Sequence, residues 1–100
     1  MTDPPDVVRT DTQFEIRIGD EVAFAEYRLQ PGVIVFPHTV VPEAFAGQGV
    51  GGRLVQAGLA YAKEQGLLVK PTCSFFHAYI AKRPELHDLV HPSMRDGLKA

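Results

Sequence analysis

Residues 45–54 read Phe-Ala-Gly-Gln-Gly-Val-Gly-Gly-Arg-Leu, and the fold and function that we predict depend on this stretch. Four glycines in the six positions 47–52 stand immediately before a segment with helical periodicity. Small residues let successive backbone N–H groups converge on one concave space, and a helix N-terminus behind them favours an anion. The stretch therefore predicts a phosphate-binding turn at the start of a helix.

The glycine stretch must also be compared with two other phosphate-binding motifs. The letters satisfy the dinucleotide fingerprint G-x-G-x-x-G, but residues 42–46 separate the glycines from the preceding strand, and the chain is too short for two mononucleotide halves. A P-loop is excluded because no Lys-Ser or Lys-Thr pair follows the glycines. A flexible glycine loop that binds nothing remains as the plainest alternative.

Upstream of the glycines, alternating polar and apolar residues predict an antiparallel meander. Gln13–Ile18 and residues 21–29 carry this period of two, and Gly19 with Asp20 fits a two-residue hairpin loop between them.

After a turn at residues 30–32, residues 33–36 are apolar throughout, which predicts a central strand covered on both faces. Pro37 leaves two interpretations open: a bulge in a strand that continues, or the end of the strand at Phe36.

Downstream of the glycines, the period changes to that of a helix. Val50–Gln65 places apolar residues on one face, and residues 67–69 form a short apolar strand directly after it. This spacing predicts a βαβ crossover with the two strands parallel. Ser74 is a candidate cap for a second helix over residues 75–82, and residues 84–90 predict a further short helical turn.

Together these elements predict one α/β (α+β) domain. A mostly antiparallel, twisted sheet with a βαβ crossover and flanking helices spans residues 11–100, behind a flexible N-terminal tail of residues 1–10. Gly58, inside the long helix, predicts that the helix approaches the sheet closely.

Composition narrows the classes of function. A net charge of −2 with both signs scattered argues against a nucleic-acid or anionic-membrane surface. We expect a cytoplasmic protein, because no signal peptide or membrane-spanning run is evident and Cys73 is the single cysteine. The histidines show no metal-ligand spacing, so no metal site is expected. Oligomeric state is not determined by the sequence.

Residues 46–51 resemble the pyrophosphate-binding motif R/Q-x-x-G-x-G/A of the GNAT acetyltransferase superfamily. The preceding Val41, Pro42 and Glu43 are a common lead-in of that family, whereas Ala46 departs from its usual Arg or Gln. The order of elements agrees over about residues 12 to 90, and the likeness is strongest to a short-chain branch of the superfamily.

The resemblance implies that acetyl-CoA binds along the strand before the glycines and on the glycine turn. Lys82 and Arg83 would meet its outer phosphate, although both also suit a solvated helix end. The cofactor-binding residues implied are Thr39, Val40, Val41, Ala46, Gly47, Gln48, Gly49, Val50, Gly51, Gly52, Lys82 and Arg83.

Three candidate catalytic residues follow from the same resemblance, and each has a plainer interpretation. Tyr79 would protonate the departing thiolate, or is an ordinary core aromatic. Cys73 would accept the acetyl group covalently, or only lines the pocket. His38 would deprotonate an incoming ammonium, or is a histidine satisfied at a strand end.

The function implied is transfer of acetyl from acetyl-CoA to the amine of a small molecule or of a protein lysine or N-terminus. Two rivals remain, namely a non-catalytic acyl-CoA sensor and an interaction module whose glycine turn binds nothing.

Overall fold

The computed structural model describes residues 7–45, 47 and 49–95. The strands, in chain order and also in their order across one sheet, are β1 (Val8–Arg9), β2 (Gln13–Ile18), β3 (Glu21–Gln30), β4 (Val33–Val40) and β5 (Leu68–Lys70). The helices are α1 (Val50–Gln65), α2 (Ser74–Ala81) and α3 (Pro92–Arg95), with 3-10 helices at Glu43–Phe45 and Pro84–Leu89. None of these described helices has the length and apolar character needed to cross a bilayer.

The sheet confirms the predicted topology. Neighbours from β1 to β4 are antiparallel, and the pair Ile18 and Glu21 closes the hairpin over Gly19 and Asp20. Strand β5 returns through α1 to lie parallel to β4. The result is a mostly antiparallel sheet with one βαβ crossover, as the change of period from two to 3.6 indicates.

The sheet begins inside the segment that was predicted to be a tail. Residues 1–6 lie outside the described part of the chain, but Val8–Arg9 pair with β2. The guanidinium of Arg9 donates to the hydroxyl of Tyr27 at 3.2 Å and lies 4.5 Å from the centre of the Tyr61 ring. These contacts tie β1 to the body of the domain.

Strand β4 continues through Pro37, which confirms the bulge and shows that a strand end at Phe36 is wrong. Glu26 is paired with His38 and Arg28 with Val35, so Phe36 and Pro37 together oppose the single residue Tyr27. An extra residue on one strand is a β-bulge, a position where the missing N–H of proline is tolerated.

The core lies on one face of the sheet, where α1 and α2 both pack. Ile34 and Phe36 are fully buried there, and the Phe36 ring stacks on Phe76 of α2 with centroids 4.2 Å apart. Val33 and Val35 point to the opposite face and are only half-buried. The prediction that this strand is covered on both faces is therefore wrong, because neither α1 nor α2 lies over the second face.

Helix α1 has the predicted bounds and the predicted close approach to the sheet. A Cβ atom on Gly58 would lie 2.9 Å from two ring carbons of Phe36, so the glycine makes room for the ring. Helix α2 begins one residue earlier than predicted, because Cys73 rather than Ser74 is its N-cap. Cys73 is held in extended backbone there by the hydrogen bond from its N–H to the Phe36 carbonyl, 2.9 Å long.

Candidate functional site

The pairing between β4 and β5 ends just before the bulge. The last parallel pair is Val35 with Lys70. Beyond this pair β4 continues to Val40, whereas the segment that follows β5 leaves the sheet at Pro71. The Phe36 carbonyl closes the junction by accepting hydrogen bonds from the Cys73 N–H at 2.9 Å and the Thr72 hydroxyl at 3.3 Å. In α/β sheets, ligands bind in the crevice at such carboxyl ends.

Thr39 and Cys73 meet at this opening. The Cys73 Sγ atom lies 3.3 Å from the Thr39 Oγ1 atom, although 34 positions separate the two residues in the sequence. Cys73 is 8% exposed, and Thr39 is half-buried on the helix-covered face, opposite Ala25 of β3. A residue predicted to bind acetyl-CoA, Thr39, and a candidate catalytic residue, Cys73, are thus brought together.

The backbone of Thr39 also faces the opening. On β4, Phe36 combines a side chain on the helix-covered face with a carbonyl directed towards the β5 side, where Cys73 donates to it. Thr39 has its side chain on the same face of the same strand, so the chirality of the chain directs its N–H and C=O to that side too. These groups can therefore bond an extended molecule placed beside β4.

The glycine turn forms an open cradle at the start of α1. Gly47 and Gly49 have φ values of +79° and +68°, which side chains rarely adopt, and nothing in the described residues comes within 4 Å of a Cβ built on either. Gly49 is the N-cap of α1, and no side chain among the described residues caps the N–H groups of the first turn. Ala46 and Gln48 lie outside the described residues. A helix N-terminus with open space beside it is the kind of site that binds anions in proteins.

The second pair of glycines serves packing between α1 and α2. A Cβ on Gly51 would lie 2.2 Å from the tip of the Phe75 ring, and one on Gly52 would lie 3.6 Å from the Tyr79 ring. Phe75 remains 42% exposed beside the turn. Phe75 was not predicted as a site residue, although the glycines at positions 51 and 52 are a signal that a ring packs there.

Beyond Phe75, the other face of α2 presents two cations. Phe75, Ala78, Tyr79, Lys82 and Arg83 line a concavity of about 300 Å³. The Arg83 guanidinium lies 3.6 Å from the centre of the Tyr79 ring and donates to the Tyr79 carbonyl at 3.1 Å. Lys82 and Arg83 therefore share a concavity with Phe75, whose ring tip lies beside Gly51.

Tyr79 and His38 are not placed with Cys73. The Tyr79 hydroxyl accepts a hydrogen bond from the Gln56 Nε2 atom at 3.0 Å, on the side of α1. His38 is exposed on the sheet face opposite the helices, paired with Glu26 across the strands, and its ring lies 6.2 Å from that of Phe24. Val40 shares this face, while Val41 is half-buried against the core. Their catalytic and binding roles stay predictions.

A domain with this βαβ crossover, bulged central strand and glycine cradle has the architecture of an acetyltransferase of the GNAT class. Residues 13–89 match the family described as GCN5-related N-acetyl-transferase, and the chain belongs to this family.

Curated relatives agree. The chain is 27% identical over 86 residues to Protein NATD1 of Gallus gallus, covering 83% of this chain and 78% of the relative. It is 27% identical over 79 residues to Protein NATD1 of Mus musculus, covering 76% and 72% of the two chains. Protein NATD1 of Xenopus tropicalis is 26% identical over 90 residues, covering 82% and 83%. The predicted family and fold class are confirmed.

Proposed function

We propose that this protein is an acetyl-CoA-dependent N-acetyltransferase. The observation that carries the proposal is the open cradle of Gly47 and Gly49, which lies at the start of α1 and next to the opening where Thr39 meets Cys73. In this proposal the diphosphate lies in the cradle, and the rest of the cofactor lies in the opening beyond the last pair of β4 and β5.

In this proposal the pyrophosphate of acetyl-CoA is bound by N–H groups of residues 47–52. The cradle needs no lysine, because amide dipoles and the helix N-terminus supply the positive potential. The exposed ring of Phe75 offers a face to the adenine, and Lys82 and Arg83 hold the outer phosphate. The pantetheine arm lies along β4, bonded by backbone groups of Thr39 to Val41.

Acetyl-CoA, when bound, supplies an acetyl group activated as a thioester. The Thr39 N–H is directed into the opening and is the donor best placed to stabilise a developing oxyanion. The main service of the protein is to hold donor and amine in a reactive geometry.

We assign Cys73 to the wall of this pocket. The acetyl group then passes directly from the thioester to the amine. The Cys73 thiol is almost fully buried and forms its hydrogen bond with the Thr39 hydroxyl rather than with a base. No hydrogen bond joins Cys73 to a histidine or lysine side chain among the described residues.

We assign proton transfer to His38 of β4 rather than to Tyr79 of α2. The imidazole of His38, one residue from Thr39 and exposed to solvent, is proposed to take a proton from the ammonium directly or through water. Tyr79 is assigned to positioning, because its hydroxyl is bonded to Gln56 and its ring packs between Gly52 and Arg83.

The acceptor is proposed to be an amine, of a small molecule or of a protein lysine or N-terminus. A cytoplasmic setting, where Cys73 stays reduced, is part of the proposal. The second candidate is an acyl-CoA sensor. It is favoured by the separation of His38 and Cys73 on opposite faces of the sheet, since a sensor needs no assembled base.

Two measurements in sequence test the function. Calorimetry with coenzyme A should show saturable binding. The absence of binding would favour the alternative of an interaction module. Thiol release from acetyl-CoA is then followed with a panel of alkyl amines, polyamines and lysine peptides. Amine-dependent release supports the enzyme, whereas binding without any amine-dependent release supports the sensor and contradicts the transferase.

A further inference from the structure

A second cavity lies on the helical side of the domain, away from the glycine turn. It occupies about 310 Å³ between the second half of α1, the end of α2 and the 3-10 helix Pro84–Leu89. The diphosphate cradle and the Thr39 opening do not contribute to its walls. Tyr79 and Arg83 line both this cavity and the concavity beside Phe75, so their stacked side chains form a shared wall.

The floor of the cavity is apolar. Leu59 of α1 is 5% exposed, and Leu86 and Leu89 are half-buried and pack against the core. Because a 3-10 helix has three residues per turn, Leu86 and Leu89 lie one above the other and present a continuous surface. An apolar stem therefore has three leucine side chains to bury against.

The rim of the cavity is cationic. Lys63 and Arg83 stand on it with Glu85, which leaves one net positive charge. Among the described residues no carboxylate lies within 4.0 Å of either cation. Arg83 uses one N–H on the Tyr79 carbonyl and retains others, since a guanidinium has five. Two cations without carboxylate partners above an apolar floor complement one chemical class of ligand.

We propose that this cavity binds a small amphipathic monoanion, a carboxylate carried on an apolar stem. The carboxylate contacts Lys63 and Arg83, and the stem lies on Leu59, Leu86 and Leu89. The site is additional to the acetyl-CoA site and does not depend on the proposed transferase activity. Lys63 is the distinguishing charge, because it lines only this cavity, whereas Arg83 also faces the proposed phosphate site.

Octanoate, used below its micellar range, is the probe. Amide chemical shifts of the full chain are followed by ¹H–¹⁵N correlation spectra during titration with octanoate, octanol and acetate. We expect saturable shifts at Leu59, Ala60, Leu86 and Leu89 with octanoate. Octanol lacks the charge and acetate lacks the stem, so both should bind at least about fivefold more weakly.

Charge reversal locates the carboxylate. Lys63→Glu should weaken octanoate binding about five- to tenfold, since an attraction becomes a repulsion. The matched variant Arg28→Glu, at an exposed site on the opposite sheet face, should bind as the original protein does. Both sites are exposed, and unchanged spectra away from the substitution confirm folding. Three results would each overturn the site: shifts that do not saturate, equal affinity in the two variants, or shifts confined to residues 49–52.

Discussion

The Cys73 Sγ atom lies 3.3 Å from the Thr39 Oγ1 atom, and this contact joins the end of β4 to the start of α2. It fixes the side wall of the opening between β4 and β5. Because the thiol is buried and already partnered, its contribution to the proposed reaction is shape rather than nucleophilicity.

Removal of the thiol should therefore leave most of the activity. With an amine that supports thiol release, Cys73→Ala should keep kcat/KM within about tenfold of the original value, with sequential kinetics. Intact-mass analysis after incubation with acetyl-CoA should find no acetyl group on Cys73. An acetyl-Cys73 species that discharges when amine is added, together with an inactive Cys73→Ala, would establish covalent transfer instead.

Gly58 should be the helical glycine whose loss costs the most stability. Its Cβ would lie 2.9 Å from the buried Phe36 ring, whereas that of Gly52 would be in ordinary contact, 3.6 Å from Tyr79. Alanine raises the helix propensity at both sites, so a lower stability of Gly58→Ala is due to packing. Chemical denaturation should show Gly58→Ala to be less stable than Gly52→Ala by about 1–3 kcal/mol. Equal stabilities would mean that α1 can lift from the sheet without cost.

Gly51 and Phe75 should be coupled. Gly51→Ala places a methyl group where the tip of the Phe75 ring lies, 2.2 Å away, and the half-exposed ring must swing aside. In a Phe75→Ala background the ring atoms nearest to the new methyl group are gone. A double-mutant cycle on the free energy of unfolding should give a coupling of about 1 kcal/mol. Additive effects would show that Phe75 does not pack on the turn.

Periodicity was sufficient to predict the elements that surround the site. The alternation in Gln13–Ile18 and the helical spacing of Val50–Gln65 predicted the order of β2 to β5 and the crossover, whereas β1 was missed. The prediction that β4 is covered on both faces was wrong, because an apolar run such as residues 33–36 does not reveal whether a second layer covers the sheet. The local pattern also shifted the start of α2 by one residue, since the anchor of Cys73 is a carbonyl on a distant strand.

The sequence pattern could not predict contacts between residues that are far apart in the chain. The meeting of Thr39 with Cys73 depends on the divergence of β4 and β5, and the bond from Gln56 to Tyr79 depends on how α2 docks on α1. Residue type alone could suggest a role for Tyr79 or His38, but the direction in which a side chain points is set by the bulge at Pro37 and by helix packing. The leucine-floored cavity has the same origin, since three separate elements form it.

We propose above all that the glycine turn holds a diphosphate. The two glycines that cap α1 allow a matched test of this site. Gly49 caps the start of the helix at φ +68° and Gly66 ends it at φ +69°, each with open space where a side chain would be. Glutamate at either site should strain the backbone by a similar amount, about 1–2 kcal/mol. Only at Gly49 does it place a carboxylate in the proposed phosphate site.

Calorimetric titration with coenzyme A should be run on the original protein, Gly49→Glu and Gly66→Glu, with folding confirmed by circular dichroism. We predict that Gly66→Glu binds as the original protein does, and that Gly49→Glu binds at least about a hundredfold more weakly, because charge repulsion replaces amide contacts. Equal affinities in the two variants, or an original protein that does not bind coenzyme A at millimolar concentration, would contradict the account.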